Sequence, residues 1–528
     1  MIYNSCKSAF ASLGSIRFAR RMSSSKYSYE EAVRKLNLLQ SNKSTIDQIR
    51  RNIKTGEKCN NIEEMANYLQ RTGVSLDRLD ELSVIHVAGT KGKGSTSAMC
   101  ESILRAHGHR TGFYSSPHLC SVRERVRLSG RVLSREQFAA HCHRVYDALS
   151  DTQAFEGDMP KYFAFLTVLA YNIFLEERVD VAVVEVGIGG VVDYTNVLRH
   201  VPVVGITTLG LDHTSILGYT LAEIARAKAG IMKRGCEAYT VQQSDEAMEV
   251  LKSVASDVQS FLLQCPLAVV PPYTSYNLPT DILQVNLPAY QTNASLAIQL
   301  AHAWLRHAKQ NALLKKQNSK KEKIGGKILN SISIDAIFTE NTKISESLDG
   351  FIPVETVVGL KECHWPGRYH KIDAEYATFY LDGAHTAESM DICAKWFGDT
   401  ARSENRVLIF SVTGDRDAEI LLKPLKMLNF NAVYFVIPTA YSDITKKNDN
   451  YSITEQKELV ERCRSCAEIW KANYVKNCEV HIKENVSEAL ISIKRSYNSI
   501  DKSSVLFTGS LYLVGAALSI IDPNLTRD

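Results

Sequence analysis

Residues 84–96 read VIHVAGTKGKGST, an apolar strand followed by a turn rich in glycine and lysine and then by the start of a helix. Such a turn directs backbone N–H groups and a helix N-terminus at a phosphate, and its glycines allow close approach. The stretch departs from the common G-x-x-x-x-G-K-[ST] pattern, because Val87 replaces the first glycine and Gly94 follows Lys93. It also lacks the G-x-G-x-x-G spacing of a dehydrogenase. We therefore predict a nucleotide phosphate loop in which Lys93 reaches the outer phosphates.

Around this loop, short β-branched runs alternate with helical patterns, which is typical of a mostly parallel sheet covered by helices. Strands are predicted at 84–88, 179–186, 201–207 and 238–242, and helices at 95–107 and 134–149. A second alternation begins near Trp365, with strands at 378–381, 407–412, 432–436 and 504–508 and helices from Thr386, Asp417 and Ser510. The pattern predicts two α/β domains.

The 528 residues are too many for one ordinary core. We expect an N-terminal domain at 26–362, with an insertion near 309–330, and a smaller C-terminal domain at 363–528. Within the insertion, residues 315–327 read KKQNSKKEKIGGK and predict a solvated loop. Residues 442–455 predict a similar polar insertion.

Residues 1–25 are basic and rich in serine, and the first acid is Glu30, a composition typical of a mitochondrial transit peptide. The alternative is a disordered basic tail. Starting translation at Met22 would remove four of the 62 basic residues, leaving 58 against 58 acidic ones. We expect a mitochondrial form, in the matrix or associated with the inner membrane, and a cytoplasmic form.

Composition also excludes several classes of function. No basic stripe with interleaved aromatic residues indicates a nucleic-acid partner, and no apolar run is long enough to predict an integral membrane contact. The twelve cysteines are scattered, and the lone pair Cys463-x-x-Cys466 lacks the partners of a zinc site.

Two further strand ends carry chemistry. Glu185 closes the apolar run VVEV and is followed by Gly187, and Asp212 and His213 follow the strand at 201–207. The carboxyl ends of parallel strands meet at one edge of a sheet, where α/β folds bind ligands, and a carboxylate there can hold Mg²⁺ beside a triphosphate. A chance acid and a structural histidine are the alternatives. Together with Lys93, the three ends predict a metal-nucleotide site.

Motifs in consistent order run through nearly the whole chain after the leader: LNLLQSN, HVAGTKGKGST, GFYSSPHLCSVRERVRLSG, VVEVGIGGVVDYTNV, LGLDHTSILG, ARAKAGIMKRG, WPGRYH, YLDGAHTAES, TGDRDAEILL and TGSLYLVGAAL. Together they resemble the folylpolyglutamate synthase family, in the Mur-ligase-like group of ADP-forming ligases. The resemblance implies a phosphate-loop ATPase domain with a central, mostly parallel sheet, and a smaller Rossmann-like C-terminal domain.

The resemblance also implies metal ligands. Ser116, with Ser115 as its rival, and Glu185 would hold one Mg²⁺, and His213 would serve a second. Lys228 falls where many relatives carry a lysine carbamylated by CO2. A bare ammonium would be repelled by a metal by about 4 kcal/mol at ~4 Å and an effective dielectric of ~20, whereas a carbamate would attract it. The alternative is an ordinary helix-surface lysine.

The remaining roles follow from the same resemblance. ATP contacts are implied for Lys91, Gly92, Lys93, Gly94, Ser95, Asn293, Arg368 and Asp382; folate contacts for His118, Leu119 and Arg123; glutamate contacts for His385 and Ser510; and catalytic roles for Lys93, Lys228, His213 and His385. Thr386 stands where relatives often have asparagine. Arg123, Arg125 and Arg127 alternate with other residues, which predicts either three positive charges on one side or a solvated charged ribbon.

The implied reaction is ATP-dependent addition of L-glutamate to the γ-carboxylate of a reduced folate or its polyglutamates through an acyl phosphate. The implied enzyme is a monomer that holds two Mg²⁺, with a monovalent cation as a candidate further ligand. Dihydrofolate synthase, which adds the first glutamate to dihydropteroate, is the nearest alternative. A catalytically inactive nucleotide-binding regulator is another.

Overall fold

The computed structural model describes residues 27–40, 59–259, 264–279, 281–322, 352–414, 416–442, 449–450, 454–473, 478–496 and 502–525. The predicted leader at 1–25 and the second start at Met22 lie outside these residues. The chain forms two compact units. The large unit comprises Ser41–Ser116 and Arg125–His364, and the small unit comprises Met1–Gln40, Pro117–Glu124 and Trp365–Asp528. The domain limits predicted from the sequence stay a prediction.

The large unit is built on an eight-stranded sheet. Its strands are β1 (Val84–Ala88), β2 (Thr111–Tyr114), β3 (Val126–Leu128), β4 (Arg131–Val132), β5 (Val181–Glu185), β6 (Val203–Ile206), β7 (Glu237–Thr240) and β8 (Leu267–Val269). Their spatial order is β4-β3-β2-β5-β1-β6-β7-β8. The pairing is parallel from β2 through β8, whereas β3 is antiparallel to both of its neighbours. The predicted, mostly parallel sheet is confirmed.

The small unit contains a six-stranded sheet with the order β13-β12-β11-β14-β10-β9. Its strands are β9 (His370–Asp373), β10 (Ala377–Leu381), β11 (Arg406–Phe410), β12 (Ala432–Val436), β13 (Glu479–Lys483) and β14 (Ser503–Thr508). All pairs are parallel except β9 with β10. This is the second α/β sheet that the sequence predicts.

Helices cover both sheets. In chain order they are α1 (Tyr29–Leu38), α2 (Asn61–Arg71), α3 (Leu76–Leu79), α4 (Lys93–Ala106), α5 (Arg135–Asp151), α6 (Tyr162–Glu176), α7 (Thr214–Leu217), α8 (Leu221–Ala229), α9 (Asp245–Val258), α10 (Pro288–Glu322), α11 (Val354–Glu362), α12 (Ala387–Thr400), α13 (Ala418–Leu422), α14 (Gln456–Asn473), α15 (Val486–Ser496) and α16 (Leu511–Ile521). Among the residues that the structure describes, no helix is both long and apolar enough to cross a membrane.

Local chemistry explains where these elements begin. Strands β1 and β5 are buried along their whole length, as expected for central strands covered on both faces. Helix α5 begins at the predicted capping box, in which the Ser134 hydroxyl accepts from the backbone of Gln137 and the Gln137 side chain accepts from the Ser134 N–H. The predicted loop at 315–327 is wrong for residues 315–322, because α10 continues to Glu322 through residues that are good helix formers. The rest of that loop lies outside the described residues.

Candidate functional site

The phosphate loop joins β1 to α4 at the carboxyl edge of the large sheet. Gly92 precedes α4 with a left-handed φ of 87°, a conformation that favours glycine. The N–H groups of Thr90 and Lys91 donate to the Thr208 carbonyl, with N···O distances of 3.0 and 3.1 Å, and thereby fix the loop to the end of β6. The Lys93 ammonium donates to the Gly89 carbonyl at 3.1 Å, so it lies folded over the loop.

Asn293 lies directly against this loop. A Cβ atom placed on Gly92 would lie 2.1 Å from Asn293 Oδ1. Asn293 belongs to the second turn of α10, so this helix presents an amide to the phosphate loop. The structure therefore brings together Gly92 and Asn293, which the sequence assigned to the same nucleotide although 200 residues separate them in the chain.

Lys228, in α8, also reaches the loop. Its residue is only 3% exposed, and its ammonium donates to the Gly89 carbonyl at 2.8 Å. Burial and the neighbouring Lys93 lower the pKa of Lys228 to about 7, although Asp212 acts in the opposite direction. The alternative of an ordinary surface lysine is wrong, and the amine is neutral in a large fraction of molecules near neutral pH.

Glu185 lies at the end of β5, beside the segment that follows β2. The Ser116 N–H donates to Glu185 Oε2 at 3.1 Å, and Glu185 is buried. Ser115 is buried as well, and its N–H donates to the Arg125 carbonyl at 3.1 Å. Of the two serines, Ser116 is thus the one whose backbone N–H is hydrogen-bonded to the Glu185 carboxylate. A buried carboxylate beside a segment that carries two serines offers oxygen ligands of the kind that a hard cation takes.

The segment that follows β6 contacts the phosphate loop through Asp212. Asp212 pairs with Lys91, with 3.2 Å between Oδ2 and Nζ, and its Oδ1 accepts the N–H of His213 at 2.9 Å. His213 has a left-handed φ of 52° and precedes α7. The predicted convergence of the strand ends at one edge of the sheet therefore includes a direct ion pair between the phosphate loop and the residue before His213.

These residues offer oxygen donors of the kind that Mg²⁺ takes. Among the described residues, no three His, Cys, Asp or Glu side chains lie together as a metal site. Mg²⁺ usually takes one or two protein carboxylates and completes its shell with phosphate oxygens and water. Glu185 with the serine hydroxyl groups is a donor set of that kind.

Asp193 was not predicted as a site residue, yet it organises the turn after Glu185. Its carboxylate accepts the N–H groups of Ile188 and Thr195, each at 3.0 Å. Burial raises its pKa, against the opposing effect of these hydrogen bonds, and its charge acts on Lys228. The sequence signal was an acid within the motif VVDYTNV, immediately after the glycines.

In the small unit, Asp382 and its neighbours follow β10. The buried Asp382 carboxylate accepts the N–H groups of Tyr369 at 3.0 Å and Ala384 at 2.9 Å. Burial raises its pKa, and the charge of Arg368 partly offsets that increase. A Cβ atom on Gly383 would lie 3.1 Å from Arg368 Nη1, which places the Arg368 guanidinium on this same turn.

His385 and Ser510 stand at two helix starts of the small unit. His385 Nδ1 lies 2.9 Å from the Gly383 carbonyl, a contact in which the ring N–H donates. Ser510 precedes α16, where its hydroxyl accepts the N–H of Tyr512 at 3.2 Å. Thr386, where the resemblance implies asparagine, is the N-cap of α12 and bonds to Ser389. That role suits threonine and asparagine alike.

The residues predicted for folate belong to the small unit. His118 Nε2 lies 3.0 Å from the Asp449 carbonyl, and Leu119 packs in the core of that unit. Arg123 is almost fully buried, with its guanidinium 5.6 Å from the centre of the Tyr29 ring.

The predicted charged ribbon of alternating arginines is wrong. Residues Val122–Arg125 form a turn of 3₁₀ helix rather than a strand, so alternation does not place the arginines on one side. Arg123 and Arg125 are buried, and Arg125 and Arg127 stack over Tyr162 and Phe113, with ring distances of 5.4 and 5.6 Å.

A glycine-rich loop between a buried parallel strand and a helix, with a buried lysine and a carboxylate at the same edge, defines a phosphate-loop nucleotide-binding α/β protein. Comparisons with known proteins narrow this class. A family model described as "Dihydrofolate synthetase, C-terminal domain" matches residues 367–520. The mitochondrial folylpolyglutamate synthase of Bos taurus is 38% identical over 456 residues, covering 84% of this chain and 74% of the relative. The chain belongs to the folylpolyglutamate synthase family.

Solved structures confirm the fold. A folylpolyglutamate synthase of Mycobacterium tuberculosis complexed with ADP matches with a TM-score of 0.64 and 22% identity, over 92% of this chain and 99% of that one. The bifunctional folylpolyglutamate synthase/dihydrofolate synthase of Yersinia pestis, complexed with AMPPNP and a Mn ion, matches with a TM-score of 0.59 and 22% identity, over 87% and 93%.

Proposed function

We propose that this chain adds L-glutamate to the γ-carboxylate of reduced folates and their polyglutamates, with ATP converted to ADP and phosphate. The observation that carries the proposal is that Lys93 and Lys228 both donate hydrogen bonds to the Gly89 carbonyl of the phosphate loop. The Lys93 cation held at this loop suits the triphosphate, the acyl phosphate and the carboxylate, which are all anionic.

In this proposal, the loop from Lys91 to Ser95 holds the ATP phosphates, and Asn293 lies near the adenine. Ser116, Ser115, Glu185 and His213 are the Mg²⁺ ligands, and the metal neutralises the triphosphate when it is bound. Arg368 and Asp382 add nucleotide contacts. Because phosphoryl transfer needs alignment more than covalent chemistry from the protein, the tasks of these residues are positioning and charge stabilisation.

We further propose that His118, Leu119 and Arg123 contact the folate and that His385 and Ser510 contact the incoming glutamate. Burial holds the Leu119 and Arg123 side chains in fixed positions within this segment. The Nδ1 atom of His385 is held by the Gly383 carbonyl, which fixes the orientation of the ring at the start of α12.

Lys228 is proposed to carry a carbamate in the active enzyme. A neutral amine is the form that adds CO2, and the lowered pKa of Lys228 supplies this form near neutral pH. Enzyme equilibrated with ¹³C-bicarbonate and Mg²⁺ should show a carbamate carbon signal that Lys228→Met loses. An unmodified Lys228 in wild-type protein under these conditions would exclude the carbamate.

The function is tested by incubating the purified chain with ATP, Mg²⁺, L-glutamate and tetrahydrofolate and following product masses. We expect a ladder of successive glutamyl additions.

Glu185→Gln should lower kcat by about 100-fold or more, since losing ~3 kcal/mol of transition-state stabilisation slows a step by two powers of ten. The exposed Glu156→Gln of the same unit is the matched control and should keep full activity.

Dihydrofolate synthase activity is the second candidate, because the matched family model carries that description. Dihydropteroate offered in place of tetrahydrofolate separates the two. Turnover of dihydropteroate alone would replace our proposal, and no ADP release with either substrate would favour a nucleotide-binding regulator.

We also propose a monomer that resides in mitochondria, as the Bos taurus relative's name states for that protein, with a cytoplasmic form that starts at Met22. A monovalent cation is a further possible ligand. Fusing residues 1–25 to a fluorescent protein should direct it to mitochondria, and a diffuse signal would contradict the targeting.

A further inference from the structure

Cys236 and Cys265 face each other in the large unit, before the amino ends of β7 and β8, whereas the phosphate loop follows the carboxyl end of β1. Their sulfur atoms are 3.5 Å apart, and both residues are buried, at 0% and 3% exposure. We propose that they form an oxidisable dithiol, a modification site that closes to a disulfide between the starts of β7 and β8.

The register of the sheet places the two residues opposite each other. Strands β7 and β8 are parallel, with Ala238 opposite Leu267, and Cys236 and Cys265 each lie two residues earlier. Neighbouring strands are about 4.8 Å apart, which lies within the range of about 4.4–6.8 Å between Cα atoms that a disulfide spans.

Backbone hydrogen bonds on both sides of the pair hold this register. The Gly235 N–H donates to the Gln264 carbonyl and the Ala238 N–H to the Pro266 carbonyl, each at 2.9 Å. Because successive side chains along a strand point to opposite faces, residues in register point to the same face. The two sulfurs therefore need to approach by about 1.5 Å to reach bonding distance, a displacement that side-chain torsions can provide.

The surroundings distinguish the two thiols. The two thiols are hydrogen-bonded to each other, and the Lys233 backbone N–H donates to the Cys236 sulfur at 3.4 Å. These contacts and the Lys233 charge lower the pKa of Cys236 against the effect of burial, whereas the pKa of Cys265 is raised well above its ordinary value. Because its pKa is the lower of the two, Cys236 is assigned as the attacking sulfur and Cys265 as the resolving thiol.

The oxidation is balanced with hydrogen peroxide as the oxidant. The Cys236 thiolate attacks one peroxide oxygen and breaks the O–O bond, giving a sulfenic acid and hydroxide. The Cys265 sulfur then displaces the sulfenic oxygen as water and forms the S–S bond. Overall, two thiols lose two electrons and two protons, and one peroxide becomes two waters.

Closure would secure the edge of the large sheet. Strand β8 is the terminal strand, with only three residues, and the disulfide would enclose β7 and α9 in one covalent loop that closes two residues before β8 begins. Restricting the unfolded chain in this way stabilises the folded unit. Both cysteines precede the amino ends of their strands, whereas the phosphate loop lies at the carboxyl edge, so turnover should be largely unchanged.

The test treats the reduced full-length chain with hydrogen peroxide, blocks remaining thiols with an alkylating agent, and maps peptides by mass spectrometry. We expect a peptide that joins Cys236 to Cys265 and lacks two hydrogens. The melting temperature should rise by about 5 °C and return to its original value after dithiothreitol. Cys59, which is exposed, reports that the oxidant acted.

Cys265→Ala should lose both the cross-link and the rise in melting temperature. Cys142→Ala, which removes another buried cysteine of the same unit, should keep both. Peptide maps of wild-type protein in which Cys59 is oxidised while Cys236 and Cys265 are both alkylated would overturn the proposal, and this readout does not depend on any variant folding. A melting shift that persists in Cys265→Ala would overturn it as well.

Discussion

Gly92 and Gly108 lie on either side of helix α4 with almost the same backbone conformation, at φ 87° and 86°, but in different surroundings. A Cβ atom on Gly92 would collide with Asn293, whereas nothing lies within 4 Å of one on Gly108. The left-handed conformation is thus common to both positions, and the collision is specific to the phosphate loop.

We predict that Gly92→Ala abolishes detectable ATP binding, while Gly108→Ala costs only the ~1–2 kcal/mol of a left-handed alanine and binds ATP normally. The physical reason is that the methyl group added at this position would displace the Asn293 amide from the loop. Isothermal titration with an ATP analogue measures the binding, and urea unfolding measures the stability. Equal nucleotide affinities in the two variants would contradict the prediction.

The sequence alone predicted the site residues that lie at or just after the ends of strands. Lys93, Glu185 and His213 each follow a strand with a clear apolar pattern, so their placement at one sheet edge follows from topology. The contact between Gly92 and Asn293 rests instead on the direction of α10, and the burial of Arg123 rests on a 3₁₀ turn. No local pattern in the sequence encodes either one.

Among the elements, helix α12 shows how a departure from the family pattern is tolerated. Thr386 bonds to Ser389 at the N-terminus of the helix, where two backbone N–H groups would otherwise lack partners. Thr386→Ala should destabilise the small unit by about 1 kcal/mol, and Thr386→Asn should leave its stability unchanged. Urea unfolding followed by circular dichroism compares the three proteins; an alanine variant as stable as wild type would disprove the capping role.

A second element contact joins β7 to α10. Arg306 donates to Glu237 Oε2 at 2.9 Å, and the Tyr239 hydroxyl donates to it at 2.6 Å. Burial raises the pKa of Glu237, but the nearby His307 ring, the hydrogen bond from Tyr239 and the charge of Arg306 outweigh it and lower this pKa to about 2. The ionised carboxylate therefore stabilises the folded state above the ordinary carboxyl pKa, and this stabilisation is lost as the pH falls towards 2.

Glu237→Gln should accordingly lose about 1–2 kcal/mol of unfolding free energy at neutral pH. The difference from wild type should shrink below about pH 4.5, because the unfolded wild-type chain then binds a proton that the folded chain does not. Urea titrations across this pH range measure it. A difference that stays constant with pH would show that the ion pair does not link β7 to α10 as described.

Secondary structure was predictable where the pattern was long or strongly apolar. Strands β1 and β12 begin and end at the predicted residues. Strand β4 has two residues and β8 has three, too few for alternation to be recognised. The polar run after residue 315 was interpreted as a loop because it lacks an apolar face, yet its residues are good helix formers and they extend α10.

For the whole molecule, two compact units predict that unfolding is not a single two-state transition. Calorimetry should give a calorimetric enthalpy larger than the van't Hoff enthalpy. An ATP analogue with Mg²⁺ at about 100 times its Kd should stabilise the unit that holds the phosphate loop by about 2.7 kcal/mol.

This stabilisation should disappear in Gly92→Ala and persist in Gly108→Ala. A single transition with equal enthalpies would mean that the two units unfold together. A nucleotide-dependent shift retained in Gly92→Ala would place the nucleotide elsewhere in the chain.

The burial of helix α6 affects how the chain folds. Eleven consecutive residues from Ala164 to Phe174 are buried, so nearly every side of the helix is enclosed by the large unit. Until the neighbouring strands have formed, the apolar side chains of that segment are exposed to solvent and can associate with other chains. Newly made chains should therefore depend on chaperones, and recombinant protein should be recovered best by slow synthesis at low temperature, where folding can outpace aggregation.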